Sequence, residues 1–418
     1  MARAVIKAIF GPLVKHGHLV VYPPRGPALK FGVAGERPTV VVRIRDTFFL
    51  FHMMINIASA LGEAYMDGRL IVEHGTIYDF LELLAMNYHH VPKMLPGKIR
   101  DFFAPVMRPL QQFNPLTRAR KNVAHHYDLS RELYEQFLDQ DMQYSCAYFR
   151  NRGDTLEMAQ LQKKAHIAAK LMLEPGMRVL DIGCGWGGMA IYLAQTADIE
   201  VVGLTLSEEQ LKVANQRAQK LGLSHRVKFY LRDYRQETGT YDRIVSVGMF
   251  EHVGTAYYPE FFDKINTLLT DDGAALIHSI GRMDGPGVTN AWLRKYIFPG
   301  GYSPALSEVL PVIEKRNLWA TDIEILRLHY AETLRHWRMR FAARRAQIAK
   351  LYDERFCRMW EFYLAGCEVN FRYLSLMVFQ IQLAKNIHTV PITRDYMFQE
   401  EVETVASLYK LPIAANRN

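Results

Sequence analysis

The chain has 418 residues, 49% hydrophobic and 22% charged, the balance of a folded globular protein with room for two or three domains. No apolar run approaches the roughly 18 residues that a spanning helix needs, and the basic opening segment lacks the apolar core and cleavage site of a signal peptide. A net charge of +8 suits either nucleic acid or anionic lipid headgroups, and no nucleic-acid-binding module signature accompanies it.

In chain order, residues 38–56 begin with the alternation Val-Val-Val-Arg-Ile-Arg, which predicts a strand. Residues 61–72 carry a turn at Asp67-Gly68, and 79–85 read as helix. Residues 1–91 are therefore expected to form a small mixed α+β domain. Pro92, Pro96, Pro105, Pro109 and Pro115 then interrupt regular structure, so 92–122 is read as a basic linker. From 123 to 418 the pattern predicts a second domain. Strands at 177–182, 200–204, 226–231, 241–247 and 274–280 alternate with helical stretches at 189–194, 208–221 and 258–269. That order implies βαβ units and an α/β fold around a mostly parallel, doubly wound sheet. Segments 319–328 and 376–383 offer two further strands, and the Gly- and Pro-rich stretch 282–312 is a candidate lid.

Positive residues gather at 108–121 and 335–345, mixed with Phe, Trp, Met and Leu. Each run also reads as a solvated helix face, but cations among apolar side chains suit a membrane interface better than nucleic acid. Cys146, Cys184, Cys357 and Cys367 form neither a CxxC pair nor a secreted framework, which favours a reducing cytoplasm, and no metal-ligand spacing is seen.

The run from Asp181 through Gly183, Gly185, Gly187 and Gly188 follows a predicted strand and opens a helix. Glycines there let the backbone turn tightly and approach a ligand, although a tight turn alone would read the same. In a nicotinamide site an acidic residue about 20 positions on takes the ribose. Here the second strand ends Gly203-Leu204-Thr205-Leu206-Ser207 with no acid at its tip, while Asp181 stands just before the glycines. That pattern favours a methionine-sulfonium ligand, whose cationic groups an acid attracts.

The glycine loop resembles motif I of class I methyltransferases, and further motifs narrow the likeness. They are His125-His126-Tyr127-Asp128-Leu129, the run from Met142 to Phe149, the run from Gly203 to Gln210, Met249-Phe250-Glu251-His252, Leu276-Ile277-His278-Ser279-Ile280-Gly281 and Lys295-Tyr296-Ile297-Phe298-Pro299-Gly300-Gly301. Together these resemble the cyclopropane-fatty-acyl-phospholipid synthase family over about residues 120–385. Residues 61–68 resemble its N-terminal lipid-binding part. The resemblance implies a Rossmann-like methyltransferase domain with a seven-stranded sheet, S-adenosylmethionine as methyl donor, and a bound bicarbonate as base. It implies unsaturated phospholipids as acceptor, a peripheral place on the cytoplasmic membrane face, and a homodimer.

Carried over by motif, the donor would be held by Tyr144, Ser145, Asp181, Gly183, Gly185, Thr205, Gln210, Asp233 and Tyr234. The bicarbonate cradle would be Cys146, Glu251, His278, the backbone of Ile280, and Tyr330, with Cys367 lining the pocket rather than attacking. On the residues alone, His278 and Tyr330 also read as packing groups. Glu251 is harder to read so, because a carboxylate beside an apolar strand is costly to bury without a partner. Tyr148, Phe149, Tyr296 and Phe298 are expected to wall an acyl tunnel and shield a cation.

Overall fold

The computed structural model describes residues 2–46, 48–55, 57–88 and 130–398. The linker 92–122 and the motif His125 to Leu129 lie outside the described residues. The N-terminal segment contains α1 (Ala2–Leu13), β1 (His18–Tyr22), β2 (Leu29–Gly32), β3 (Thr39–Ile44), α2 (Phe48–Ile55), α3 (Ile57–Met66), β4 (Leu70–His74) and α4 (Ile77–Met86). After it come α5 (Arg131–Phe137), α6 (Leu156–Leu171), β5 (Arg178–Ile182), α7 (Gly188–Thr196), β6 (Glu200–Thr205), α8 (Glu208–Lys220), β7 (Val227–Leu231) and β8 (Tyr241–Val247). The remainder is α9 (Tyr258–Leu268), β9 (Leu269–Arg282), α10 (Ala291–Tyr296), α11 (Leu306–Ile313), β10 (Trp319–Leu326), α12 (His329–Leu351), α13 (Glu354–Tyr373) and β11 (Leu376–Ala384).

The chain divides into two compact units that do not follow the linear division expected from sequence. The first joins residues 1–110 to Gly287–Pro299 and Leu334–Ser375. Its sheet runs β2-β1-β3-β4, with β1 and β3 parallel and the outer pairs antiparallel. The alternation in β3 buries Val40, Val42 and Ile44 beside Leu19, Val21, Phe10 and Phe80. Helix α4 starts on a reciprocal cap, the Thr76 hydroxyl accepting from the Asp79 N–H while the Asp79 carboxylate accepts from the Thr76 N–H. Long helix α13 packs on α3 and α4. The Trp292 indole sits where a side chain on Gly62 would go.

The second unit carries the predicted α/β sheet, in the order β10-β11-β9-β8-β5-β6-β7. Only β11 runs against its neighbours. Alternation along β5 turns Leu180 and Ile182 to one face and Val179 to the other. One face packs against α9 and α11, the other against α6, α7 and α8. The stretch 282–312 is not a single lid. Its first part holds α10 in the first unit, and its second part puts α11 in the sheet core through Val309 and Ile313.

Glycine matters sharply at Gly203 in β6. A Cβ there would lie 2.5 Å from Phe229 Cδ1 and 3.0 Å from Cys184 Cβ. Gly203→Ala is therefore expected to destabilise the fold by about 1–3 kcal/mol, the usual cost of overpacking, as a lowered midpoint in urea unfolding.

Candidate functional site

Strand order reverses between β5 and β8, and a cleft opens at the carboxyl ends of β5, β6 and β8, where open α/β sheets place their ligands. The loop after β5 makes this close approach workable. Gly183 and Gly187 sit at φ +83° and +82°, and a Cβ at Gly183 would meet Met249 at 2.8 Å. The N–H groups of Gly183 and Cys184 both donate to Leu204 O at 2.9 Å, tying the loop to β6.

Asp181 ends β5 against this loop and is 1% exposed. Its carboxylate accepts from the Ala190 N–H in the first turn of α7, and its Oδ2 is buried with no hydrogen-bond partner. Burial pushes its pKa up to about 7, opposed by the charge of Lys163. A buried carboxylate oxygen facing a cleft without a partner suits a cationic ligand group.

All nine residues expected to hold the donor line this one cleft: Tyr144, Ser145, Asp181, Gly183, Gly185, Thr205, Gln210, Asp233 and Tyr234. Tyr144 and Ser145 belong to a strap, residues 139–150, between α5 and α6. Tyr134 and Phe137 of α5 hold the Tyr144 ring edge-on at 5.2 and 6.3 Å. The strap is pinned from α6. Lys163 Nζ donates to Gln143 Oε1 at 2.6 Å and Ser145 Oγ at 2.8 Å, Gln160 Nε2 to Ser145 O at 3.0 Å, and Lys164 Nζ to Asp141 Oδ2 at 2.6 Å. Arg217 of α8 bonds both the Asp141 carboxylate and Trp186 O, joining strap to glycine loop.

Further along, the Thr205 hydroxyl donates to Gln210 Oε1 at 2.9 Å. Asp233 is already engaged, with each carboxylate oxygen accepting from the Arg235 guanidinium at 2.8 Å. The cleft also includes Gln143, Trp186, Arg235, Met249 and His252, which sequence reasoning did not select. His252 had a signal, since it follows Glu251 at the end of β8. Burial pushes its pKa down to about 4, so it is neutral at pH 7.

The residues expected to form the anion cradle do not line the cleft itself. Their contacts divide those of the second unit into two groups. Glu251 Oε1 accepts from the Ile280 N–H at 2.7 Å, so that N–H is engaged within the protein. Glu251 Oε2 is buried without a partner, and burial raises the pKa to about 7. On the same strand, His278 Nδ1 lies 3.2 Å from Gln380 Nε2 of β11, and burial pushes it down to about 3. In the other group, Cys146 Sγ donates to Ala147 O at 3.3 Å, and the Ala147 N–H donates at 3.0 Å to the Thr333 hydroxyl, one turn along α12 from Tyr330. Burial raises the Cys146 thiol well above its ordinary value. Cys367 belongs to α13 in the first unit, where burial alone pushes its thiol up to about 12, far from a nucleophilic thiolate.

The expected aromatic wall takes a different form. Tyr148 is sandwiched between His166 at 4.2 Å and His329 at 4.8 Å, so both ring faces are covered and neither can shield a cation. Phe149 lies against His329, and its N–H donates to His329 Nδ1 at 3.0 Å. Tyr296 and Phe298 belong to the first unit, beside Trp292 and Tyr363 respectively.

Comparison with known proteins accords with this geometry. A sequence model of the family described as mycolic acid cyclopropane synthetase matches residues 114–381. A probable fatty acid methyltransferase of Pseudomonas putida is 40% identical over 87% of this chain and 93% of its own length. The cyclopropane-fatty-acyl-phospholipid synthase of Escherichia coli K12 is 37% identical over 83% and 88%. A solved mycolic acid cyclopropane synthase, complexed with SAH and CTAB, superposes with a TM-score of 0.61 at 33% identity, covering 65% of this chain and 99% of that one. With its cleft, its sheet order and these relatives in view, the chain belongs to the cyclopropane fatty acid synthase family, enzymes of S-adenosylmethionine-dependent methyl transfer to lipids.

Proposed function

We propose that the chain methylenates the cis double bond of unsaturated phospholipid acyl chains, closing a cyclopropane ring. The observation that carries this reading is Glu251. Met249, His252 and Val253 line the donor cleft, and between them Glu251 buries an unpartnered oxygen with a pKa near 7. A proton-handling group thus lies within one turn of the methyl-donor cleft, as a reaction that loses a proton after methyl transfer requires.

When bound, S-adenosylmethionine supplies an electrophilic methyl group. The chain's own residues hold its amino-acid end near Asp181, fix the cleft wall through the strap, and keep water away with Met249 and Val253. His252 and His278 stay neutral at pH 7, so they set no positive charge against a developing carbocation. A bicarbonate would supply a proton acceptor. Cys146, Glu251, His278 and Tyr330 would hold it, with the Ile280 N–H fixing Glu251 rather than meeting the anion, and the orphaned Glu251 Oε2 fits a hydroxyl donor.

In the same reading, the chain works as a homodimer on the cytoplasmic face of a membrane. No helix among the described residues is long and apolar enough to cross one. On α12, Arg335, Met339 and Arg344 are exposed, and Arg338 and Arg345 are ion-paired with Glu368 and with Glu354 and Glu361 respectively. A second outcome of the same site, a methyl or methylene branch, is favoured by the 40% identity to a probable fatty acid methyltransferase.

Incubation with unsaturated phosphatidylglycerol vesicles and labelled donor decides between them. One added CH₂ per double bond with cyclopropane proton signals in the product supports the ring, and a branched product refutes it. Glu251→Gln is expected to lower turnover roughly 10²- to 10⁴-fold, the range of a lost acid–base group, with SAH affinity retained. An equal loss of affinity would remove Glu251 from the chemistry.

Asp181 predicts a pH dependence. In the free protein it keeps its proton to about pH 7, whereas an unfolded aspartate loses it near 4. Its contribution to stability is therefore full below about pH 4 and is lost as pH rises through about 7. A cationic ligand group favours the carboxylate, so donor affinity should rise from pH 6 to 8. Calorimetric titration should show proton release near pH 7, and Asp181→Asn should abolish it.

A further inference from the structure

Lys163 is fully buried in α6, yet its ammonium meets only two neutral oxygens, Gln143 Oε1 at 2.6 Å and Ser145 Oγ at 2.8 Å. Among the described residues no carboxylate lies within ion-pair distance of it. Asp139 and Asp141 act on it only through space. A buried ammonium with no directly bonded carboxylate is expensive, and an apolar side chain would fill the same helix position at less cost. Burial lowers its pKa only to about 8, so the group still carries its charge at neutral pH.

The bonding directions say what that charge accomplishes. An ammonium can only donate, so Ser145 Oγ accepts from Lys163 and its own proton must point elsewhere. Ser145 lines the donor cleft, and no acceptor among the described residues takes that proton. Gln143 is equally fixed, its Oε1 taken by Lys163 and its Nε2 donating to Asp141 Oδ2 at 3.0 Å. Gln160 holds the Ser145 carbonyl, so the hydroxyl cannot swing away with the backbone. The same cleft contains the orphaned Asp181 Oδ2, an acceptor. A cation-backed hydroxyl donor and an unpartnered carboxylate in one cleft complement a zwitterion, the donor's α-carboxylate and α-ammonium.

We propose that Lys163 is a positioning residue that aims the Ser145 hydroxyl at the carboxylate of the methyl donor, making the cleft selective for ligands with an intact amino-acid end. The inference rests on the cleft being the donor site. It is tested by calorimetric titration of the full chain with SAH and with 5′-methylthioadenosine, which keeps the adenosine and sulfur but lacks the amino-acid end. Lys163→Met and Ser145→Ala should each weaken SAH about tenfold or more, the scale of a lost hydrogen bond to a charged group, and leave methylthioadenosine within about twofold. The double variant should be no worse than the weaker single variant, because Lys163 acts through Ser145. Should Lys163→Met fail to fold, Lys163→Gln removes the charge with a side chain that still donates, and the same selective loss is expected. Equal weakening of both ligands would show that Lys163 only supports the strap, and unchanged SAH affinity or additive losses would equally overturn the proposal. A wild-type protein that binds neither ligand would instead overturn the donor-site reading itself.

Discussion

The carboxylate of Asp181 is held at the end of β5 with one oxygen on the first turn of α7 and the other without a protein partner. The local architecture depends on that placement. The strand must end where the sheet reverses direction, and the chain must then turn without side chains, which the left-handed Gly183 and Gly187 permit. The neighbouring strand must come close, which Gly203 permits against Phe229. The price of a buried, unsatisfied acid is a raised pKa, and that is also what leaves it responsive to a cationic ligand.

The site separates two carboxyl groups with similar titration into different settings. Asp181 lies in the cleft with Lys163 as the nearest favourable charge, while Glu251 turns away from the cleft to the backbone of β9. The two buried histidines near them are neutral, since burial disfavours their charged forms. The cations around the cleft are themselves engaged: Arg235 is forked onto Asp233, Arg232 bonds Glu237, and the hydrogen bonds of Lys163 go to the strap. Such a setting suits chemistry in which positive charge first arrives on a ligand and then develops on an acceptor.

How much of this was legible in the sequence depended on whether partners were local. Strands β5 to β9 were readable because short apolar runs alternate with helical stretches, and even β10 and β11 showed their partial alternation. The nine residues expected from motif likeness to hold the donor converge on one cleft. Helix α6 was not readable. Gln160, Gln162, Lys163, Lys164, His166 and Lys170 look like a solvated face, but all are buried because the strap and Glu324 of β10 supply distant partners. The make-up of the first unit was hidden for the same reason, since 287–299 and 334–375 join it across long sequence separations. Arg235 escaped notice because its meaning lies in a fork onto Asp233 that no spacing rule announces.

Helix α6 also constrains how this chain can vary. Its grip on the strap comes from side chains at fixed angular positions on one cylinder, and each residue advances that angle by about 100°. An insertion or deletion of one residue between Lys164 and the core-packed Ala168 would leave composition and helix propensity almost unchanged. It would nonetheless rotate Gln160, Gln162, Lys163 and Lys164 together away from their strap partners. A single substitution in this helix removes one strap contact at a time, whereas a change in its length removes them all together.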